Sequence, residues 1–143
     1  MTWVDGSRRF VDTNIVVYAN DAEDPAKHLV AAQLLAELVS QGTGVISTQV
    51  LQEYAATALR KLRQPTDLVY RQIYQLEFME TVTVTPGIVR RAIGLAALHR
   101  ISYWDACIIA AAESARCTEI LSEDLSAGHY YSGIRVVNPF APE

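Results

Sequence analysis

The sequence predicts an α/β fold in which a short parallel sheet of four or five strands lies between two layers of helices. Short runs rich in β-branched residues alternate with longer segments whose apolar residues recur at helical spacing. Helix starts are marked by a capping residue followed by proline, as at Asp24–Pro25 and Thr85–Pro86. Strands that alternate with helices are typical of βαβ units, and such units form parallel sheets covered on both faces.

The predicted elements follow one another without a repeat or a linker. In the first half we expect a strand over 8–12, a helical turn over 15–19, a helix from Asp24 to Gly42, a strand over 45–47 and a helix capped by Thr48. In the second half we expect a helix from Pro65–Thr66, a strand over 81–84, a helix from Thr85, a helix from Ser102 to Arg116, and strands over 119–122 and 134–137.

Length and composition indicate one domain over residues 1–143. The chain has 143 residues, of which 50% are hydrophobic and 20% charged, as in ordinary globular proteins. Its formal net charge of −4 excludes a general polyanion binder, because phosphate contacts need local cationic density. A local basic patch, or metal ions held by carboxylates, would still allow the chain to bind nucleic acid.

The cysteine and apolar patterns favour a cytoplasmic protein without a membrane segment. Cys107 and Cys117 lie in or beside one apolar helical stretch, where we expect reduced thiols. No charged segment followed by an apolar one opens the chain. No apolar run approaches the roughly 18 residues that a membrane-spanning helix needs.

Four acidic residues are expected at one edge of the sheet. Asp12 ends the first predicted strand, and Asp124 lies just beyond the fourth. Glu53 lies in the second turn of the helix after the second strand, and Asp105 in the first turn of the helix before the fourth. Ligands of parallel sheets bind outside the carboxyl ends of the strands, so these acids can converge there.

Each acid also has an ordinary structural interpretation. Asp12 can cap the following helical turn, Ser102 and Asp105 match a capping box, and Asp124 can be a turn residue. Glu53 lies about 150° from the centre of the apolar arc of its helix, which favours a solvated surface position.

Asp105 is the hardest of these acids to explain by capping alone. It directly precedes seven residues without a polar face, 106–112, so this helix should be buried on all sides. A carboxylate at the mouth of such a helix is partly desolvated, which is costly unless positive charge compensates. A divalent cation would compensate, and oxygen ligands without a histidine or cysteine cluster favour Mg²⁺ or Mn²⁺ over Zn²⁺.

Four segments carry a resemblance to a known family, and they cover nearly the whole chain in order and spacing. They are Phe10–Val11–Asp12–Thr13–Asn14, then Glu53, then Tyr103–Trp104–Asp105–Ala106, and Leu121–Ser122–Glu123–Asp124. With these segments the chain resembles the PIN-domain ribonucleases, and most of all the VapC-type toxins of toxin–antitoxin pairs. The resemblance implies a three-layer α/β/α PIN-like fold and an endoribonuclease that depends on Mg²⁺ or Mn²⁺.

The resemblance also implies the site residues. Asp124 is preferred to the adjacent Glu123 because it stands two residues after Ser122. Asn14 and Ser122 match polar positions that support the acids or a water, although Asn14 also suits a plain turn. The acids that would be catalytic and bind the metal are Asp12, Glu53, Asp105 and Asp124.

Partners follow from the same resemblance: an RNA substrate, a small antitoxin that inserts a segment at the acidic site, and a second copy of the chain in a homodimer. The densest basic run contains Arg60, Lys61 and Arg63, which could hold RNA phosphates or could be a solvated helix end. Two other functions stay open, a non-catalytic binding module on the same fold and a phosphatase or phosphotransfer domain that uses Asp12. The latter chemistry usually has a second acid two residues on, where this chain has Asn14.

Overall fold

The structure, a computed structural model, describes residues 7–141. The predicted domain over 1–143 also includes residues 1–6 and 142–143, which lie outside the described residues. The strands are β1 (Arg9–Val11), β2 (Gly44–Ser47), β3 (Glu80–Val82), β4 (Glu119–Leu121), β5 (Tyr130–Tyr131) and β6 (Ile134–Val137). The helices are α1 (Thr13–Ala19), α2 (Pro25–Gln41), α3 (Thr48–Arg60), α4 (Thr66–Leu76), α5 (Pro86–His99) and α6 (Tyr103–Ser114).

The strands form one sheet in the order β3-β2-β1-β4-β6-β5, flanked by the helices. β1 pairs in parallel with β2 and β4, and the parallel pairing continues outward to β3 and β6. The predicted α/β fold with a short parallel sheet is confirmed. Because β1 and β4 are neighbours, the residues that follow them emerge side by side at the carboxyl edge.

An additional two-residue strand, β5, pairs antiparallel with β6 at one border of the sheet. The hairpin turn between them is Ser132–Gly133, and both residues have positive φ angles of 51° and 78°. Two central residues with positive φ are typical of the tight turns that match the twist of paired strands. The sequence analysis did not predict this strand because two residues are too few to show a period.

Local signals placed most helix starts correctly, with one exception. The side chain of Asp24 accepts a hydrogen bond from the Lys27 amide, and α2 ends at Gly42 with φ 69°, as expected. Thr48 was expected to cap α3, and this is wrong. The N-cap is Ser47, whose extended backbone ends β2 and whose hydroxyl accepts from the Val50 amide.

Helix α6 lies in the middle of the core, as its lack of a polar face predicts. Every residue from 106 to 112 is at most 2% exposed. The helix contacts α5, β2 and β6, and both cysteines are buried free thiols. In the part of the chain that the structure describes, no helix is both long and apolar enough to cross a membrane.

Candidate active site

Asp12 follows the central strand β1 and is buried, with 7% of its surface exposed. Its Oδ1 accepts a hydrogen bond from the Thr13 amide at 2.8 Å, which caps α1. Its Oδ2 accepts from Ser122 Oγ at 2.7 Å and from Asn14 Nδ2 at 3.4 Å. Asp12 therefore caps a helix, as one interpretation held, and also lies at the junction of β1 with the residues after β4.

Burial raises the pKa of Asp12 to about 6, against the lowering effect of its hydrogen bonds from Ser122 and Thr13. The negative charges of Glu53 and Asp124 add to this rise. A carboxylate whose pKa is raised by neighbouring carboxylates lies in a region of unbalanced negative charge. The structure thus brings Glu53 and Asp124 within electrostatic reach of Asp12.

Glu53 is half-buried on α3, where this helix contacts α1. Thr13 Oγ1 donates a hydrogen bond to Glu53 Oε1 at 2.6 Å, and Gln49 Nε2 donates to Oε2 at 3.3 Å. The helical-wheel argument for a solvated position does not hold here, because that argument ignores the neighbouring helix that covers this face.

Ser122 and Asn14 tie the loop after β4 to the start of α1. The Ser122 hydroxyl is fully buried and accepts from the amides of Asp124 at 3.1 Å and Leu125 at 3.2 Å. Asn14 Nδ2 donates to Asp124 Oδ2 at 3.0 Å, and Asn14 Oδ1 accepts from the Glu123 amide at 3.1 Å. Both polar residues therefore hold acids of the predicted site in place.

The two adjacent acids after Ser122 have different partners. Glu123 forms an ion pair with Lys27 and accepts from the Tyr18 hydroxyl at 2.8 Å. Burial alone would raise the pKa of Glu123, but the hydrogen bonds and charge of Lys27 and Tyr18 outweigh it and lower the pKa. Asp124 is exposed and is linked to Asn14. This difference supports Asp124 as the fourth acid.

Asp105 lies half-exposed in the first turn of α6. Its amide donates to Ser102 Oγ at 3.0 Å, so Ser102 makes the cap. Among residues 7–141 no donor reaches the Asp105 carboxylate, so only half of the expected capping box forms. Asp105 is not among the charges that shift the pKa of Asp12. Its first turn is joined to α3 by a hydrogen bond of 3.1 Å from Gln49 Nε2 to the Trp104 carbonyl.

The residues at this edge have the chemistry that a hard divalent cation requires, although they do not enclose one. Within residues 7–141, no three histidine, cysteine, aspartate or glutamate side chains are grouped closely enough to hold a metal ion. The hydrogen bonds to Asp12, Glu53 and Asp124 come from neutral hydroxyls and amides. The ion pairs in this range involve other acids. Oxygen ligands with unbalanced negative charge suit Mg²⁺ or Mn²⁺.

A comparison of the amino-acid sequence with models of protein families identifies the family. The sequence model of the PIN domain matches residues 9–131, a range that contains all four predicted acids. The chain belongs to the PIN-domain family. This is a family of nucleases.

Solved structures similar to this PIN domain include toxins of toxin–antitoxin systems. A toxin–antitoxin complex from Klebsiella pneumoniae has a TM-score of 0.69 and 23% identity, over 94% of this chain and 98% of that chain. A VapC toxin of Mycobacterium tuberculosis, described as cleaving the sarcin–ricin loop, has a TM-score of 0.70 and 22% identity, over 89% and 98%. FitAcB from Neisseria gonorrhoeae has a TM-score of 0.64 and 15% identity, over 92% and 98%. At these identities the similarity establishes the fold. No curated protein matches the chain.

A cleft of about 810 Å³ opens beside the acids of the PIN domain. Asn14, Glu53 and Asp124 line it, and Lys61 lies on its wall. Of the predicted basic run, Lys61 is thus the residue that the structure places at the cleft. Arg60 ends α3 and Arg63 follows it, and both are exposed without lining the cleft.

Two residues of this region were missed by the sequence analysis. Thr13 stands inside the quoted Asp–Thr–Asn segment, yet its hydroxyl contact to Glu53 spans 40 residues of sequence. Gln49 lies four residues before Glu53 on α3, a spacing that puts two side chains on one helical face. That spacing was the available signal for Gln49.

Proposed function

We propose that this PIN domain is a metal-dependent endoribonuclease that acts in the cytoplasm as the toxin of a toxin–antitoxin pair. The observation that carries the proposal is the group of Asp12, Glu53 and Asp124 at the carboxyl edge of the sheet, bonded to neutral donors alone. Membership in a nuclease family and the likeness to toxin folds support it.

The residues that would hold the cation are Asp12, Glu53, Asp105 and Asp124. When bound, a divalent cation lowers the pKa of a water and offsets the charge of a phosphate. The chain itself orients the acids: Ser122 and the Thr13 amide fix Asp12, and Asn14 fixes Asp124. Asp12 Oδ1 accepts one hydrogen bond, from Thr13. Its second lone pair is therefore available to the cation.

RNA must approach this edge against the charge of the acids. Lys61 lies on the wall of the cleft, and Arg60 and Arg63 flank it at the end of α3. These cations would contact phosphates on the strand that enters the cleft, since phosphate contacts supply most sequence-independent affinity.

The antitoxin would insert a segment at the acidic site, in the cleft lined by Asn14, Glu53 and Asp124. The protein also exposes apolar surface outside this cleft. A groove of about 460 Å³ between α2 and α4 is lined by Leu35, Val39, Leu76 and Phe78, and Phe78 is 81% exposed. The homodimer would use a different face, the exposed apolar side of α5 around Ile93 and Leu98.

A calorimetric titration with Mn²⁺ tests the metal site without knowledge of the RNA. The parent chain, freed of any bound partner, is compared with Asp105→Asn. The cap of α6 survives this change, because Ser102 Oγ bonds the backbone amide of residue 105. We expect the parent to bind Mn²⁺ and the folded variant to bind at least about tenfold more weakly, the usual cost of disturbing a metal site.

Three outcomes would contradict the proposal in whole or in part. A folded parent that binds no Mn²⁺, alone or with RNA present, would favour the non-catalytic binding module, with Asp105 as a helix-end residue. RNA cleavage that Asp105→Asn retains in full would remove Asp105 from the mechanism. A phosphorylated Asp12 trapped from a phosphate ester would favour phosphotransfer instead.

A further inference from the structure

We propose that Gln49 is a positioning residue that joins Glu53 to the first turn of α6, so that the acids of two helices keep one arrangement; the inference rests on the proposed function and deepens it. Gln49 lies in the first turn of α3. Its Nε2 donates to Glu53 Oε2 at 3.3 Å and to the Trp104 carbonyl at 3.1 Å. Both hydrogens of this one amide group are therefore engaged.

Gln49 is buried, but its amide group is only partly hydrogen-bonded. Gln49 is 5% exposed, and among residues 7–141 its Oε1 is buried without a hydrogen-bond partner. Buried polar atoms are nearly always paired, and an unpaired one disfavours the folded state. The favourable polar contacts of the Gln49 side chain are therefore its two donated hydrogen bonds.

Gln72 gives the contrast within the same fold. It is also buried, with 8% of its surface exposed, and its Oε1 accepts from the Tyr54 hydroxyl at 2.6 Å. This glutamine joins α4 to α3 beside the apolar groove, away from the acidic cleft. Gln72 is thus a buried glutamine whose hydrogen bond serves the packing of two helices.

The two bonds of Gln49 lie at a junction of the site. Glu53 is held from one side by Thr13 Oγ1 at 2.6 Å and from the other by Gln49. Trp104, whose carbonyl takes the second bond, directly precedes Asp105. One amide therefore connects the helix of Glu53 with the turn that carries Asp105.

Loss of this connection should weaken metal binding without removing a ligand. With Gln49 changed, Glu53 keeps only the bond from Thr13, and the first turn of α6 loses its tie to α3. Changing a residue that orients metal ligands typically lowers metal affinity or activity about 10- to 100-fold. Gln49 is too buried to act by touching RNA.

The test compares Gln49→Met with Gln72→Met, two similar removals of a buried glutamine amide. For each full-length protein, Mn²⁺ affinity is measured by calorimetry and the melting temperature by circular dichroism. We expect Gln49→Met to bind Mn²⁺ about tenfold more weakly than the parent, and Gln72→Met to bind within about twofold of it. We also expect Gln49→Met to melt no lower than Gln72→Met, because it removes an unpaired oxygen.

An unchanged Mn²⁺ affinity in folded Gln49→Met overturns the inference, and so does an equal loss in both variants, which would indicate general destabilisation. If Gln49→Met does not fold, Gln49→Asn is judged by the same criterion, since its amide is one methylene too short to reach both partners. A parent chain that binds no Mn²⁺ contradicts the proposed function instead. The two failures are therefore distinguishable.

Discussion

The acidic residues at the two edges of the sheet have different kinds of partner. At the amino edge, Glu80 and Glu119 begin β3 and β4 and form ion pairs with Arg8 and Arg9. At the carboxyl edge, Asp12, Glu53 and Asp124 have hydroxyl and amide partners, and none of them pairs with a cation of residues 7–141. Only Glu123, which pairs with Lys27, is neutralised in the described part of this edge.

The comparison separates acids that are paired with an arginine from acids that have no cationic partner among the described residues. In a buried ion pair each charge compensates the other. Removing one partner therefore leaves an unpaired buried charge and destabilises the fold. A group of carboxylates without a cation is incomplete, because burial and mutual repulsion act against its charged form. A divalent cation would therefore bind most favourably at the carboxyl edge.

The largest effect is expected from Asp12→Asn at the carboxyl edge. Cleavage of RNA should fall by at least about a thousandfold, near 4 kcal/mol of transition-state stabilisation. The fold should persist, since the Oδ1 of asparagine can still accept from the Thr13 amide and cap α1, while the hydrogen bond that Ser122 donates to Oδ2 is lost. Cleavage assays beside circular dichroism check this, and a variant that still cleaves would show that the buried acid is only a cap.

Arg9→Met tests the opposite edge and should affect stability alone. The Arg9 side chain is 6% exposed and its partner Glu119 is 17% exposed, so the variant should lose roughly 3 kcal/mol of unfolding free energy. Its Mn²⁺ affinity should not change. The control is Arg8→Met, whose pair with Glu80 is more exposed and should cost less than about 1 kcal/mol. Weakened Mn²⁺ binding in Arg9→Met would contradict the separation of the two edges.

The raised pKa of Asp12 predicts a pH dependence of stability. Because its pKa is about 6 in the folded protein and 3.8 ordinarily, the folded state keeps this proton to higher pH. The proton on Asp12 therefore stabilises the folded state, by on the order of 2–3 kcal/mol. This stabilisation is fully present below about pH 4 and is lost as pH rises through about 6. Denaturant unfolding from pH 4 to 8 should show this loss in the parent and not in Asp12→Asn. Saturating Mn²⁺ should reduce this loss of stability in the parent. A stability that does not change with pH in either protein would refute the prediction.

The smallest effect is expected from Glu123→Gln. Glu123 is already neutralised by Lys27 and Tyr18, so cleavage should stay within about twofold and the melting temperature should fall slightly. The adjacent change Asp124→Asn should reduce cleavage by at least about tenfold. Equal losses in the two variants would mean that the loop does not distinguish its neighbouring acids.

The sequence was sufficient for the fold and for the placement of Asp12 and Asp124. Helix caps and β-branched runs are local signals, and a parallel sheet brings the residues after its strands to one edge. The setting of Glu53 could not be predicted, because its exposure depends on α1 packing against α3. The ion pair that sets Glu123 apart from Asp124 could not be predicted either, because it depends on Lys27, 96 residues away. Such pairings are properties of tertiary packing, which periodicity does not encode.

The hydrogen bond from Ser122 to Asp12 joins residues 110 positions apart, and this has a consequence for protein synthesis. A ribosome that adds about 5–20 residues per second needs roughly 5–20 seconds between the two. Throughout that interval the growing chain carries Asp12 but lacks the loop that orients it. For the proposed nuclease, the topology itself delays activity until the loop after β4 has been synthesised, which leaves time for the proposed antitoxin to be made.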